Sequence, residues 1–96
     1  MSLDSIQAEI AEWTTKFHID GNPDPLADAL AICEEAGEVA RAVLKRAHGQ
    51  RPGTDWEAQL YDELGDLAIT IMSLCANEGW SFGRLVADRW DEVKHR

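Results

Sequence analysis

The sequence predicts an all-α fold: a four-helix bundle built on a long antiparallel α-hairpin. Apolar residues recur with the period of a helix along two long segments of the chain. Capping residues, prolines and glycines divide the chain into four helical segments, and no segment shows the alternation of a strand. Because the chain has 96 residues, 45% of them hydrophobic, we expect one domain covering residues 1–96.

Each predicted helix has a start and a stop signal. Asp4 and Gln7 resemble a capping box, so the first helix is expected to begin there and to continue to His18 or Ile19. The turn 20–24 then interrupts it. The second helix is expected to run from Pro25, capped by Asp24, to His48, where Gly49 stops it. The third is expected to run from Thr54, which forms a capping box with Glu57, to Gly79. The fourth is expected to run from Ser81 to the C-terminus.

The second predicted helix is apolar on two sides. Such a helix is either central in its bundle or shared with a second subunit, so we expect a homodimer or a homotetramer. The first side, here named the Leu26–Leu44 stripe, consists of Leu26, Leu30, Cys33, Gly37, Ala40 and Leu44. The second side consists of Ile32, Ala36, Val39 and Val43, and the third helix has a stripe of its own at Leu60, Leu64, Leu67, Ile71 and Leu74.

The composition argues against several classes of function. A formal net charge of −9 disfavours binding to nucleic acids or anionic membranes, because both select basic surfaces. A polyanionic ligand is compatible with this charge where divalent metal neutralises the contact. The longest uncharged apolar run, 67–76, is too short to span a bilayer, and no signal peptide is visible, so we expect a cytoplasmic protein. Cys33 and Cys75 are expected to be buried, reduced thiols.

Two acidic motifs predict a metal site. Glu35 and Glu38 lie three residues apart in the second helix, and Glu63 and Asp66 have the same spacing in the third. This spacing places each pair on one face of its helix, one turn apart. Two such pairs on facing helices would form a four-carboxylate cage, and oxygen ligands favour Mg²⁺, or Mn²⁺ as a substitute, over zinc.

A solvated acidic surface is the alternative interpretation of these motifs. Glutamates on helices usually face water, and Arg41 is placed to pair with Glu38. Two pairs on long, adjacent and otherwise apolar helices are nevertheless a more specific pattern than one pair alone. Each motif also contains a glycine, Gly37 or Gly65, which costs about 1 kcal/mol of helix propensity and so indicates close backbone approach.

The double acidic motif resembles the signature of the MazG-like, all-α nucleoside triphosphate pyrophosphohydrolases. Its first half is Glu34-Glu35-Ala36-Gly37-Glu38 and its second half is Glu63-Leu64-Gly65-Asp66. Trp13, Phe17 and His18, ahead of a proline-containing turn, look like a segment of the dCTP pyrophosphatase branch of that family. The resemblance extends from about residue 9 to the C-terminus.

The resemblance implies a reaction and a set of catalytic residues. Glu35, Glu38, Glu63 and Asp66 would bind Mg²⁺, and Glu34 would orient or deprotonate the attacking water, so that Glu34, Glu35 and Glu38 form the catalytic set. The implied reaction is hydrolysis of a (d)NTP between its α- and β-phosphates to a nucleoside monophosphate and pyrophosphate, in the service of nucleotide-pool housecleaning. Such phosphoryl transfer depends mainly on positioning and charge neutralisation.

Substrate contacts are implied in the same way. Trp13, Phe17 and His18 would stack on and hydrogen-bond the base, although Trp13 and Phe17 also fit a core role because they lie four residues apart on one helix. Lys45 and Arg89 would hold the phosphates. Lys45 also suits the C-terminal end of its helix by the dipole argument, and Val93 stands where the family has an asparagine.

Two alternatives to this function are open at the level of sequence. Phosphoribosyl-ATP pyrophosphohydrolase shares the fold and the acidic motifs, but its second motif usually leads into a Tyr-His pair, whereas Asp66 is followed by Leu-Ala-Ile-Thr. A non-catalytic helical interaction module of the same fold would be expected to have lost some of the acids, and all of them are present.

Overall fold

The computed structural model describes residues 1–47 and 55–96, and within these ranges the protein is all α-helical. The helices are α1 (Leu3–Trp13), α2 (Pro25–Ala47), α3 (Trp56–Glu78) and α4 (Phe82–Val93), with a 3₁₀ turn, Thr14–Phe17, after α1. The described residues contain no strand, only an isolated bridge in the turn before α2. The predicted all-α fold with four helices is confirmed.

The first helix differs from its prediction at both ends. Ser2, and not Asp4, caps α1: its hydroxyl accepts a hydrogen bond from the Ser5 backbone N–H, and the Ser5 hydroxyl accepts one from the Ser2 N–H. The Asp4 carboxylate instead accepts from the Ser81 hydroxyl at 3.0 Å. The α-helical turns end at Trp13, because the chain tightens into the 3₁₀ turn before the reversal that follows.

The other predicted boundaries in the described ranges agree with the structure except the last: the fourth helix was predicted to run to the C-terminus, but it ends at Val93. The Asp24 carboxylate accepts from the Leu26 N–H at 3.1 Å, at the start of α2. Asp55 caps α3 by accepting from the Ala58 N–H, so this helix begins just after the predicted Thr54. Gly79 ends α3 with a φ of 80°, and Ser81 caps α4. The predicted stop at His48 and Gly49 and the predicted cap Thr54 lie outside the described residues.

The centre of the fold is the antiparallel packing of α2 against α3. The start of α2 meets the end of α3, where the Asn77 side chain donates to Asp28. The end of α2 meets the start of α3, where Ala42 and Glu63 line the same small cavity. α1 packs on α3, and α4 contacts both α1 and α3. α2 and α3 therefore form the predicted hairpin, with α1 and α4 packed on the α3 side.

The hydrophobic core of one chain is small. The buried apolar residues among those described are Ile10, Ala42, Met72 and Cys75. Burial raises the pKa of the Cys75 thiol, as expected for a reduced, unreactive cysteine. The prediction for Cys33 was wrong, because this residue is exposed on the side of α2 that faces away from α3.

The whole Leu26–Leu44 stripe shares this outward position. At 100° per residue, the stripe lies on the opposite side of α2 from Glu35 and Ala42, which face α3. Leu26 and Leu30 are 76% and 70% exposed. The stripe therefore contributes nothing to the core of a single chain. The close backbone approach predicted at Gly37 and Gly65 was wrong, because no atom of the described residues outside the glycine's own helical neighbourhood lies within 4 Å of the place where a Cβ would stand at either glycine.

The chain also exposes more surface than a compact protein of its size. Its accessible surface is 7161 Å², whereas about 5,500 Å² is expected for a folded monomer of this mass. Its radius of gyration is 15.8 Å, against roughly 12–13 Å for a compact domain of this length. None of the helices in the described ranges carries an apolar stretch long enough to cross a bilayer.

Gln7 connects α1 to the turn between α3 and α4. Its side-chain amide donates to the Trp80 carbonyl at 2.7 Å, and its side-chain carbonyl accepts from the Phe82 N–H at 2.8 Å. Gln7 is one of the few buried polar residues. These two bonds hold the N-terminal helix, which also carries Trp13, against the rest of the fold.

Replacing Gln7 with alanine should lower the free energy of unfolding by about 1–3 kcal/mol, because two backbone groups at the turn lose their partner. Urea unfolding followed by circular dichroism, at one fixed protein concentration, measures this loss. Glu12→Ala, at an exposed position of the same helix, is the control and should stay within about 0.5 kcal/mol of the wild type. Equal losses in the two variants would contradict this role for Gln7.

Candidate active site

Three carboxylates from the two central helices converge at the middle of the hairpin. One oxygen from each of Glu35, Glu63 and Asp66 lies within 4.8 Å of the other two. Glu35 comes from α2, and the other two come from successive turns of α3, so the antiparallel packing brings the two predicted motifs together. No other group of three such side chains comes as close within residues 1–47 and 55–96.

The electrostatics of the cluster are unfavourable without a counterion. The pKa of the Glu35 carboxyl is raised above its ordinary value of 4.5, first by desolvation and then by repulsion from Asp66, Glu63, Glu34 and Glu38. A carboxyl that is partly removed from water beside other carboxylates is destabilised in its charged form. The cluster is therefore a place where a cation would be bound favourably.

The donor set fits a hard divalent cation. All three side chains offer oxygen, the ligand that Mg²⁺ prefers. An octahedral Mg²⁺ with ligand distances near 2.1 Å holds adjacent oxygens about 3 Å apart and opposite oxygens about 4.2 Å apart. The three oxygens, all within 4.8 Å of one another, reach these separations with small side-chain movements.

Glu38 and Glu34, also predicted for this site, are close to it but outside the cluster of three. Glu38 pairs with Arg41 at 3.6 Å, the ion pair considered in the alternative interpretation of the sequence. It also lines a small cavity together with Glu63. Glu34 is exposed. Both carboxylates act on Glu35 through their charge.

A larger cavity lies one helical turn from the carboxylates, none of which lines it. Its volume is about 330 Å³, within the range of small-molecule sites. Ala31, one helical turn before Glu35, and Thr70, one turn after Asp66, belong to its wall. The other residues that line it are Trp13, Thr14, Phe17, His18, Asp24, Ala27, Asp28, Ile69, Ser73 and Asn77.

The three residues predicted to contact a base lie together in the wall of this cavity. The rings of Trp13 and Phe17 meet edge to face with their centroids 5.5 Å apart, and the side chains are 54% and 62% exposed. The Lys16 ammonium lies 4.1 Å above the Trp13 ring. The Nε2 atom of His18 is buried and has no hydrogen-bond partner among the described residues. Their exposure makes a core role for the two aromatic rings untenable in the single chain.

Sequence reasoning missed two polar residues in the wall of this cavity, Asp28 and Asn77. The Asn77 Nδ2 donates to the Asp28 Oδ2 at 2.7 Å, across the α2–α3 contact. A signal for them was present, because Asp28 lies two helical turns before Glu35 and Asn77 lies three turns after Asp66. Each residue therefore shares a helix face with the acids.

The two basic residues predicted to hold phosphate have different surroundings. Lys45 lines the cavity of about 170 Å³ beside Glu38 and Glu63, together with Arg41. Arg89 forms an exposed ion pair with Glu92 at 2.8 Å on α4. It lines neither of the two cavities described here.

No protein-family model matches this chain, and no curated protein sequence matches it. A solved bacterial structure has the same fold. This is the structure of a Bacillus subtilis protein described as the putative pyrophosphatase YPJD, with a TM-score of 0.77 and 26% sequence identity. The match covers 97% of this chain and 94% of that chain, so the two share the arrangement of all four helices.

Millimolar Mg²⁺ should raise the melting temperature of the wild-type protein, because a ligand that binds the folded state stabilises it. Each kcal/mol of binding stabilisation corresponds to about 4–8 °C for a domain of this size. Glu35→Gln and Asp66→Asn should each abolish most of this gain, while Asp62→Asn, an exposed neighbour on α3, should retain it. Differential scanning calorimetry with and without EDTA tests this, and an unchanged gain in Glu35→Gln would exclude Glu35 as a ligand.

Without metal, the same Glu35→Gln variant should melt at a higher temperature than the wild type at neutral pH. Folding raises the Glu35 pKa, so this group favours the folded state below pH 4.5 and loses that contribution as the pH rises through the raised pKa. The difference between the two melting temperatures in EDTA should therefore grow from about pH 4 to pH 7. A difference that is constant over this range would mean that the charge of Glu35 is not destabilising.

Proposed function

We propose that the protein is a Mg²⁺-dependent nucleotide pyrophosphohydrolase that cleaves a (d)NTP between its α- and β-phosphates. The products are a nucleoside monophosphate and pyrophosphate, and the role is nucleotide-pool housecleaning. The observation that carries the proposal is the adjacency of the three-carboxylate cluster to a cavity with exposed aromatic walls. The similar fold of a protein described as a pyrophosphatase supports the same class of reaction.

The two parts of the site match the two parts of such a substrate. A nucleotide has a polyanionic end, which requires metal on a protein of net charge −9. It also has a flat aromatic base, which stacks favourably on rings such as Trp13 and Phe17. A ligand that covered these rings would remove apolar surface from water in the complex.

The residues of the chain have distinct roles in this proposal. Glu35, Glu63 and Asp66 would hold the metal, and Glu38 would be free to join them once its ion pair with Arg41 is broken. Bound at this cluster, Mg²⁺ supplies charge neutralisation at the phosphate oxygens. Glu34 is exposed beside the cluster and orients a water or takes its proton.

Basic side chains would hold the phosphates beyond the cleaved bond. Lys45 and Arg41 line the small cavity beside Glu63 and Glu38, where the leaving pyrophosphate would lie. Arg89 is carried by the exposed face of α4, and its assignment to phosphate binding rests on the resemblance alone.

Incubation of the purified protein with Mg²⁺ and a panel of (d)NTPs should yield monophosphate and pyrophosphate, identified by anion-exchange chromatography and ³¹P NMR. Glu63→Gln and Asp66→Asn should reduce kcat/KM at least about 100-fold, because a lost metal ligand removes several kcal/mol of transition-state stabilisation. Asp62→Asn is the matched control, since it makes the same change of charge beside Glu63.

The products decide between the alternatives. Release of orthophosphate and a diphosphate would mean that another bond is cleaved. Phosphoribosyl-ATP is assayed beside the (d)NTP panel, and cleavage of this compound alone would favour phosphoribosyl-ATP pyrophosphohydrolase. No turnover of any of these compounds would favour a non-catalytic helical module.

We further propose that the working form is a homo-oligomer, a dimer or a tetramer, in which a second copy covers the Leu26–Leu44 stripe. The chain exposes roughly 1,600 Å² more surface than a compact monomer would. A homodimer that buried this area on each chain would have an interface of the size of obligate dimers, about 2,000–5,000 Å² in total.

Leu30→Glu should dissociate this oligomer, because it places a charge within the apolar stripe. Light scattering coupled to size exclusion should show a smaller particle, and the Cys33 thiol should react faster with a thiol reagent while the buried Cys75 stays slow. Ala8→Glu, an exposed position on α1, controls for the added charge. A wild-type protein that is monomeric at micromolar concentration would contradict the proposal.

A further inference from the structure

We propose that Asp28, held by Asn77, is the specificity-determining residue of the cavity and selects bases that carry an exocyclic amine over their keto counterparts. The inference rests on the proposed function, in which the cavity holds a nucleotide base. Asp28 lies on α2 and Asn77 on α3, whereas Trp13 and Phe17 belong to α1 and the turn after it, and all four line the same cavity.

The hydrogen bond between the two side chains determines what they present to a ligand. An ionised carboxylate only accepts hydrogen bonds, so the amide nitrogen of Asn77 must face Asp28, as the 2.7 Å contact shows. The side-chain carbonyl oxygen of Asn77 is then left out of this hydrogen bond. The pair therefore offers acceptor oxygens from both partners, Oδ1 of Asp28 and Oδ1 of Asn77.

The position of the pair suits the base end of a nucleotide. Asp28 precedes Glu35 by seven residues, and a helix rises about 10 Å over that distance. Both Asp28 and Asn77 line the cavity, which approaches the acids through Ala31 and Thr70. A nucleotide with its phosphates at the carboxylates therefore extends its base along the helices toward Asp28 and Asn77.

The chemistry of the pair discriminates between two classes of base. An exocyclic amine, as in cytosine or adenine, donates hydrogen bonds to carboxylate and carbonyl oxygens. The keto oxygen of uracil or hypoxanthine would face these acceptors with its own lone pairs and leave them unpaired, which costs binding energy. Thr70 does not change this balance, because its hydroxyl already donates to the Leu67 carbonyl at 2.7 Å.

His18 belongs to the wall of the same cavity but does not add a polar contact to it. Its buried Nε2 has no hydrogen-bond partner within the described part of the chain. Because this atom is closed to solvent, a base in the cavity would not reach it without movement of the ring, so the amino preference is assigned to Asp28 and Asn77.

The experiment compares matched amino and keto substrates. We expect the wild type to favour dCTP over dUTP, and dATP over dITP, by about 10- to 100-fold in kcat/KM, the discrimination typical of one good base-edge contact. Asp28→Asn should abolish or reverse this preference, because its amide can donate to a keto oxygen. Asp28→Ala should abolish it without reversal, and Glu78→Gln, the exposed neighbour of Asn77, should leave it unchanged.

A binding measurement separates this inference from the proposed function. Calorimetric titration with dCMP, dUMP, dAMP and dIMP in EDTA requires neither metal nor turnover. A preference for the amino member of each pair that is lost in Asp28→Asn would support the inference even if no triphosphate were hydrolysed. Preference for dCMP over dUMP without one for dAMP over dIMP would identify cytosine as the base.

Several outcomes would overturn the role of Asp28. Equal use of amino and keto substrates by the wild type would do so while leaving the pyrophosphohydrolase intact. An amino preference that persists in both Asp28 variants would assign the discrimination to other residues. Melting temperatures of the variants show whether they are folded. We expect Asp28→Asn to fold, because its side-chain carbonyl still accepts a hydrogen bond from the Asn77 amide.

Discussion

The antiparallel packing of α2 against α3 is the interaction on which the other features of the molecule depend. It places Glu35 opposite Glu63 and Asp66, and it places Asp28 beside Asn77 two turns away. Two small side chains of α2, Ala27 and Ala31, line the cavity. A shift of either helix by one turn, about 5.4 Å, would separate Glu35 from the two acids of α3 and Asp28 from Asn77.

This packing has an electrostatic cost that links stability to function. The Glu35 carboxyl is surrounded by four other acidic groups and partly removed from water. A protein without a role for these charges would gain stability from neutral residues at the same positions. The arrangement is understandable if a cation binds there, because the same charges that destabilise the metal-free hairpin then bind the ligand.

The outer surfaces of the hairpin show how incomplete one chain is. Its buried apolar set is small, while the Leu26–Leu44 stripe lies open on the side of α2 away from α3. The exposed rings at the cavity are a second apolar region, on the side of α1 and the turn that follows it. A small domain with too little core commonly completes it by association, and aromatic walls of a cavity are completed by a ligand.

The sequence by itself determined the features that depend on neighbouring residues. The helical type of every element, the caps at Asp24 and Ser81, and the spacing of the acids within each helix follow from local propensity and period. Tertiary structure decided which apolar side of α2 faces α3, and hence that Cys33 is exposed. It also decided that Glu38 lies outside the three-carboxylate cluster, and that Asp28 meets a partner 49 residues away. The physical reason is that a helical period defines the faces of a helix, whereas the register and direction of its packing determine which residues each face meets.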